Sequence, residues 1–337
     1  MKRVMAVYDV DPFYADRFAD FANRKEKIPF TVMAFTTMER LKNYMKEHTV
    51  ELLLVSHMVD KKELERLPVK QIITLTEGEV ARLENTYPNV YKYQSTEGII
   101  REVMSIYCGQ VQDDSGILAG PKAVILGVYS PVNRCLKTSF ALTAGQILGQ
   151  DSRVLYVTFE EYSGLSRLNG EVFQGDLSDL LYYYQQGKFN ILRLNALVHT
   201  MGNLDYIPPV RYPEDLCQLS PEELAGFVES LARETGYETI LVDLGQMGRK
   251  AVEVLEICDT VYMPIKDDCV SVAKLEEFDE YLQISQRTAL AEKIQKLKLP
   301  YHNSFGRKDS YVEQLLWGEL GDYVRQLLKG PRPWAIH

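Results

Sequence analysis

Short apolar runs alternate with helix-patterned segments from one end of the chain to the other, and this alternation constrains the fold more than any other feature. KRVMAVYDV, FTVMAFT, VELLLVSHM, KQIITLT and VYKYQS read as strands within the first 107 residues. Between and after them PFYADRFADFANR, MERLKNYMKEH, KKELERLP and TEGIIREVMSIY carry helical spacing, with Asp11 predicted as an N-cap and Pro12 at the first helical position. From Lys122 the order repeats: KAVILGVYS, RVLYVTF, ETILVDLG and DTVYMPI are strands, and TSFALTAGQILG, PEELAGFVESLARETG, GRKAVEVLEIC and SVAKLEEFDEYLQIS are helices. Ser220 and Glu223 form a predicted capping box, and Gly149 a C-cap. Parallel strands need crossover helices, and near-continuous apolar runs suit strands covered on both faces. The expected class is α/β, with two doubly wound parallel-sheet domains, the first receiver- or flavodoxin-like and the second P-loop NTPase-like.

The boundaries follow from composition. A chain of 337 residues exceeds what one core usually fills. The polar, glycine-containing stretch CGQVQDDSGILAG separates the two patterns, so the expected domains are 1–107 and 122–337 with a linker over 108–121. FNILRLN is expected as a short strand, MGNLDYIPPVRYPEDLCQL as a long loop, and SYVEQLLWGELGDYVRQLL as one terminal helix. That helix is amphipathic but carries Glu313, Glu319 and Asp322, which favours packing on its own core over lying on a membrane. The run Tyr182 to Tyr184 is expected on a helix, packed at an interface.

Net charge of −9 opposes wrapping of nucleic acid, although nine Lys/Arg stand against five Asp/Glu from Arg287 onward. The five cysteines lack CxxC spacing, which reads as reduced thiols of a cytoplasmic protein, and the five histidines lack metal-ligand spacing. MKRVMAVYDVDPF lacks the uninterrupted apolar core of a secretory signal, and no run approaches the roughly 20 residues a membrane span needs.

The chemistry concentrates in GVYSPVNRCLKTS, Gly127 to Ser139, a buried strand running into a turn and then a helix. A phosphate loop curls consecutive backbone N–H groups around an anion at a helix N-terminus, and glycines normally permit the curl. Here the lysine and hydroxyl remain as Lys137 and Thr138, while Asn133, Arg134, Cys135 and Leu136 fill the turn and Ser139 follows. If Asn133, Arg134 or Leu136 took positive φ, each would cost on the order of 1 kcal/mol or more. In open α/β sheets ligands sit beyond the carboxyl ends of strands, where Glu160 and Asp243 also fall. A phosphate lysine, an acid able to orient water and an aspartate after an apolar strand are the minimum equipment of a nucleotide hydrolase. The plainer alternatives are a first-turn lysine with Thr138 as N-cap, an exposed loop arginine at 134 and a strand-end acid at 160.

Two resemblances follow from these residues. Residues 1–107 resemble a response-regulator receiver: Asp9 and Asp11 match its acidic pair and Lys92 its lysine, but Ser56 stands where the phospho-accepting aspartate belongs. This reads as a pseudo-receiver used for docking or dimerisation, with Asp9 and Asp11 serving as strand end and helix cap. Residues from about Lys122 to Leu328 resemble the MinD/ParA family of P-loop ATPases. Aligned on Lys137, that family's signature lysine falls on Val132, its paired glycines on Asn133 and Arg134, its last glycine on Leu136, its DxD element on Thr158 and Glu160, and its Walker B aspartate on Asp243. The resemblance implies ATP or ADP held by residues 133–139 and Asp243, Mg ligated by Thr138 and Asp243, and Glu160 as the catalytic acid. It also implies a signature lysine that reaches across a dimer, which a valine cannot do.

The two parts together are similar to the TadZ/CpaE group, which implies a cytoplasmic, pole-associated homodimer that positions pilus or secretion assembly proteins, with no sequence-specific nucleic acid and with peripheral membrane contact left open. Two readings stand: a scaffold with weak or lost ATP binding and hydrolysis, or an active Mg·ATP-dependent dimerisation switch. Phosphotransfer signalling is disfavoured by Ser56.

Overall fold

The computed structural model describes residues 3–24, 28–78, 87–110, 121–170, 173, 175–300 and 311–329. The chain folds into two compact units, Met1–Asp114 and Ser115–His337. Most of the stretch expected as a linker lies outside the described residues.

The first unit runs β1 (Arg3–Tyr8), α1 (Pro12–Arg24), β2 (Phe30–Phe35), α2 (Met38–Glu47), β3 (Val50–Ser56), α3 (Lys61–Leu64), β4 (Val69–Thr76), β5 (Asn89–Tyr91) and α4 (Thr96–Gln110). All neighbours pair parallel in the order β2-β1-β3-β4-β5. Asp11 starts α1 as its sequence position suggests, its Oδ1 accepting the Phe13 N–H at 2.9 Å. One face of the sheet buries Ala6, Leu53 and Val55 with Leu41, Met45 and Leu64.

The second unit begins with β6 (Val124–Val128), α5 (Lys137–Leu148), β7 (Val154–Phe159), α6 (Leu165–Asn169), α7 (Leu177–Gln185) and α8 (Ile191–Leu197). It continues with β8 (His199–Met201), β9 (Leu204–Tyr206), α9 (Pro221–Glu234), β10 (Thr239–Leu244), α10 (Arg249–Ile257) and β11 (Thr260–Pro264). The last elements are α11 (Cys269–Ile284), α12 (Thr288–Lys293), β12 (Ile294–Leu297), α13 (Tyr311–Trp317) and α14 (Glu319–Lys329). The sheet order is β12-β11-β6-β10-β7-β9-β8, parallel throughout except for the β8–β9 hairpin at one edge. Alternate residues of each strand serve opposite layers. Ile125, Leu155, Val157, Ile240 and Val242 meet Leu180, Phe227, Leu231 and Leu255 on one side. On the other, Leu126, Val128, Tyr156 and Leu241 meet Phe140, Ala144, Leu315 and Val324.

Four expectations change. FNILRLN is helical: Asn190 Oδ1 accepts the Arg193 N–H at 3.0 Å and opens α8, so a cap inside the run outweighs its strand-like composition. The segment expected as a loop holds the β8–β9 hairpin and a 3₁₀ turn, Pro213–Cys217. The terminal helix is two helices meeting at Gly318. Residues 294–297, assigned no element from sequence, form an edge strand. The capping box of α9 is present in both directions, Ser220 N–H to Glu223 at 2.7 Å and Glu223 N–H to Ser220 Oγ at 3.1 Å. Gly149 ends α5 with an ordinary right-handed φ of −65°. Its requirement is space, since a Cβ there would lie 2.1 Å from the Asn203 carbonyl oxygen. Tyr182 stays exposed, whereas Tyr184 packs edge-on against Phe227. Among the described residues no helix is long and apolar enough to cross a membrane.

Candidate nucleotide-type site of the second unit

Strand register brings the site together. β10 lies between β6 and β7, with Asp243 opposite Val128 on one side and Thr158 on the other. The loop after β6 therefore opens beside Asp243, at the point where the connections leave in opposite directions.

The loop keeps a left-handed curl without glycine. Arg134 (φ 55°) and Leu136 (φ 66°) occupy the left-handed region, and Asn133 does not. Leu136, not Thr138, is the N-cap of α5, and its side chain makes no capping hydrogen bond. The loop is anchored from below. Val132 and Cys135 are 3% and 4% exposed and belong to the main core. The Val132 N–H donates to Ser130 Oγ at 3.1 Å and Cys135 Sγ contacts the Val132 carbonyl at 3.1 Å. Burial pushes the Cys135 thiol pKa up, so it is an inert core group. Asn133 and Arg134 are exposed at the loop tip.

Lys137 is buried at the first position of α5 and points across the sheet end. Its Nζ donates to the Leu244 carbonyl at 2.8 Å and lies 2.8 Å from Glu160 Oε1. Thr138 Oγ1 donates to Asp243 Oδ2 at 2.7 Å, and the fully buried Tyr156 hydroxyl donates to the same oxygen at 3.0 Å. Asp243 Oδ1 is buried with no hydrogen-bond partner. Burial first, and the charge of Glu160 second, raise the Asp243 pKa to about 6, against the opposing pull of Thr138, Lys137 and Tyr156. Ser139 turns away from the loop, its Oγ 2.7 Å from the Tyr311 hydroxyl on α13.

Lys137, Thr138, Glu160 and Asp243 thus converge, whereas Asn133, Arg134, Cys135 and Ser139 contribute backbone, anchoring or surface. An orphaned carboxylate oxygen beside a hydroxyl is a donor set that fits a hard divalent cation, which Thr138 and Asp243 would hold. A cavity of about 280 Å³ adjoins the loop, lined by Cys135, Leu136, residues 265–267 after β11 and residues 298–299 after β12. Sequence reasoning missed Tyr156 and the Leu244 carbonyl. The tyrosine alone left a signal, because a hydroxyl inside an apolar strand has to find a partner.

At the corresponding edge of the first sheet, Lys92 Nζ lies 2.8 Å from the buried Asp9, 3.4 Å from Glu77 and 4.6 Å from the Tyr14 ring centre. Burial lowers the Lys92 pKa, but the two carboxylates outweigh it and the net shift is upward. Ser56 closes β3 and is buried at 3% exposure. Among the described residues no group of three or more His, Cys, Asp or Glu is placed to hold a metal.

Residues 1–108 match the family model of the TadZ-like receiver domain. No curated protein matches the chain. Among solved structures, a ParA family ATPase from Chlorobium tepidum TLS is similar with a TM-score of 0.50 and 16% identity, over 61% of this chain and 99% of that one. A putative plasmid partition protein from Borrelia burgdorferi B31 bound to AMPPNP gives 0.43 and 15%, over 63% and 83%. The septum site-determining protein MinD of Pyrococcus horikoshii OT3, complexed with Mg-ADP, gives 0.41 and 15%, over 57% and 77%. Residues 1–108 are thus similar to the TadZ-like receiver domain, and the chain shares the fold of a ParA family ATPase.

Proposed function

We propose that this protein is a positioning or scaffold protein of the MinD/ParA superfamily, acting as a cytoplasmic homodimer in pilus or secretion-machine assembly, in which ATP no longer drives dimerisation. The observation that carries the proposal is Val132. It occupies the place of the lysine that reaches a partner's phosphates, and it is a core residue at 3% exposure with neither charge nor freedom to cross an interface. The TadZ-like match of residues 1–108 supports the positioning role, and the Asp9–Lys92 pair with Ser56 at the acceptor place supports a receiver that docks without phosphotransfer.

One observation favours the second reading, a Mg·ATP switch. The loop retains its curl at Arg134 and Leu136, and Thr138 stays in register with Asp243. Titration calorimetry with Mg·ATP, with mass by light scattering in its presence and absence, separates the two. The scaffold reading expects a dimer whose mass ignores nucleotide. Micromolar binding that drives dimerisation and vanishes in Lys137→Ala would sink it.

A further inference from the structure

The Glu160 N–H donates to the buried Thr158 Oγ1 at 3.2 Å, which fixes the turn at the end of β7. Gly245 lets that turn close onto the end of β10. A Cβ at 245 would lie 2.9 Å from the Phe159 carbonyl oxygen, 3.2 Å from Glu160 Cα and 3.3 Å from Glu160 Oε2. The carboxylate so placed lands 2.8 Å from Lys137 Nζ, which also binds the Leu244 carbonyl. The lysine side chain is 8% exposed and the glutamate 25%. A buried ammonium needs an anion, and this one has its anion built in.

We propose that Glu160 is a tethered anion occupying Lys137 in place of a ligand phosphate, so that a polyphosphate nucleotide enters only by displacing it. This rests on the reading of the site as nucleotide-type with weakened binding, and names what weakens it. The extra methylene of glutamate matters, because aspartate would withdraw the carboxylate by about one bond length, ~1.5 Å, and leave Lys137 open. With the side chain neutralised, Lys137 keeps its neutral partners, the Leu244 carbonyl and the Tyr129 ring at 5.8 Å, but loses the anion in direct contact with it and recruits one from solution.

The test uses the full chain and two nucleotides that report affinity without turnover, Mg·AMP-PNP and Mg·ADP, titrated by calorimetry into wild type, Glu160→Gln, Glu160→Asp and the double variant Lys137→Ala/Glu160→Gln. Both single variants are expected to bind at least about tenfold more tightly than wild type, and the double variant to lose the gain. A glutamate that only positions water would leave the affinity of Glu160→Asp unchanged, because that variant keeps the charge and neither probe reports hydrolysis. An affinity within twofold of wild type in Glu160→Asp overturns the proposal, as does absence of binding in all four proteins. The function reading fails on a different result, nucleotide-driven dimerisation of the wild type, whatever the ratio between variant and wild type. Glu160→Asp keeps the charge and the fold-supporting backbone contact, so misfolding of Glu160→Gln leaves the proposal testable.

Discussion

Asp243 is the residue at which the site costs the fold most. It is fully buried, one oxygen has no partner, and its pKa is raised from 3.8 to about 6. A folded-state pKa above the unfolded one means that the native state binds the proton more tightly. The contribution of Asp243 to stability is therefore greatest below about pH 4, falls as pH rises towards 6, and stays low above it, by up to about 3 kcal/mol for two pH units. Asp243→Asn removes that slope. Denaturant titrations at several pH values are expected to show the variant gaining about 1–3 kcal/mol over wild type between pH 4 and pH 7. A constant difference across that range would show that Asp243 does not titrate there. A stabilised asparagine variant is the usual signature of a residue kept for a site and not for the core.

The loop over 130–136 shows at the scale of elements what a sequence can and cannot display. Lys137, Thr138 and Asp243 are legible as site candidates because each stands near the end of an element whose type is plain from apolar spacing. The Tyr156 bond to Asp243 and the Lys137 bond to the Leu244 carbonyl join residues 87 and 107 positions apart, so they depend on strand register that no local pattern encodes. Helix α8 is hidden for the opposite reason: Asn190 carries a local cap signal that the aliphatic run around it obscures. The curl itself is legible only as a cost. Arg134 and Leu136 do adopt positive φ, and relieving it in Arg134→Gly is expected to raise stability by about 0.5 kcal/mol, glycine's freedom in the unfolded chain offsetting part of the gain. Leu136→Gly should gain less, because that side chain is half-buried. Equilibrium unfolding in urea compares the two, and a loss of stability in Arg134→Gly would mean that the guanidinium supports the loop.

For the whole molecule the two units carry separate cores, and each sheet is paired within its own unit. Calorimetry is expected to resolve two transitions, and a fragment ending at Asp114 to melt cooperatively on its own. Failure of the fragment to fold would show that the first unit depends on the second. The second unit also has a kinetic consequence built into its glycine-free loop. Because Arg134 and Leu136 resist the curl, it is expected to form only once Val132 and Cys135 are clamped in the core, after the rate-limiting step of folding. Strain formed that late would leave the folding rate untouched and be released when the native state opens, so Arg134→Gly is expected to lengthen the lifetime of the folded protein in stopped-flow unfolding without changing its refolding rate.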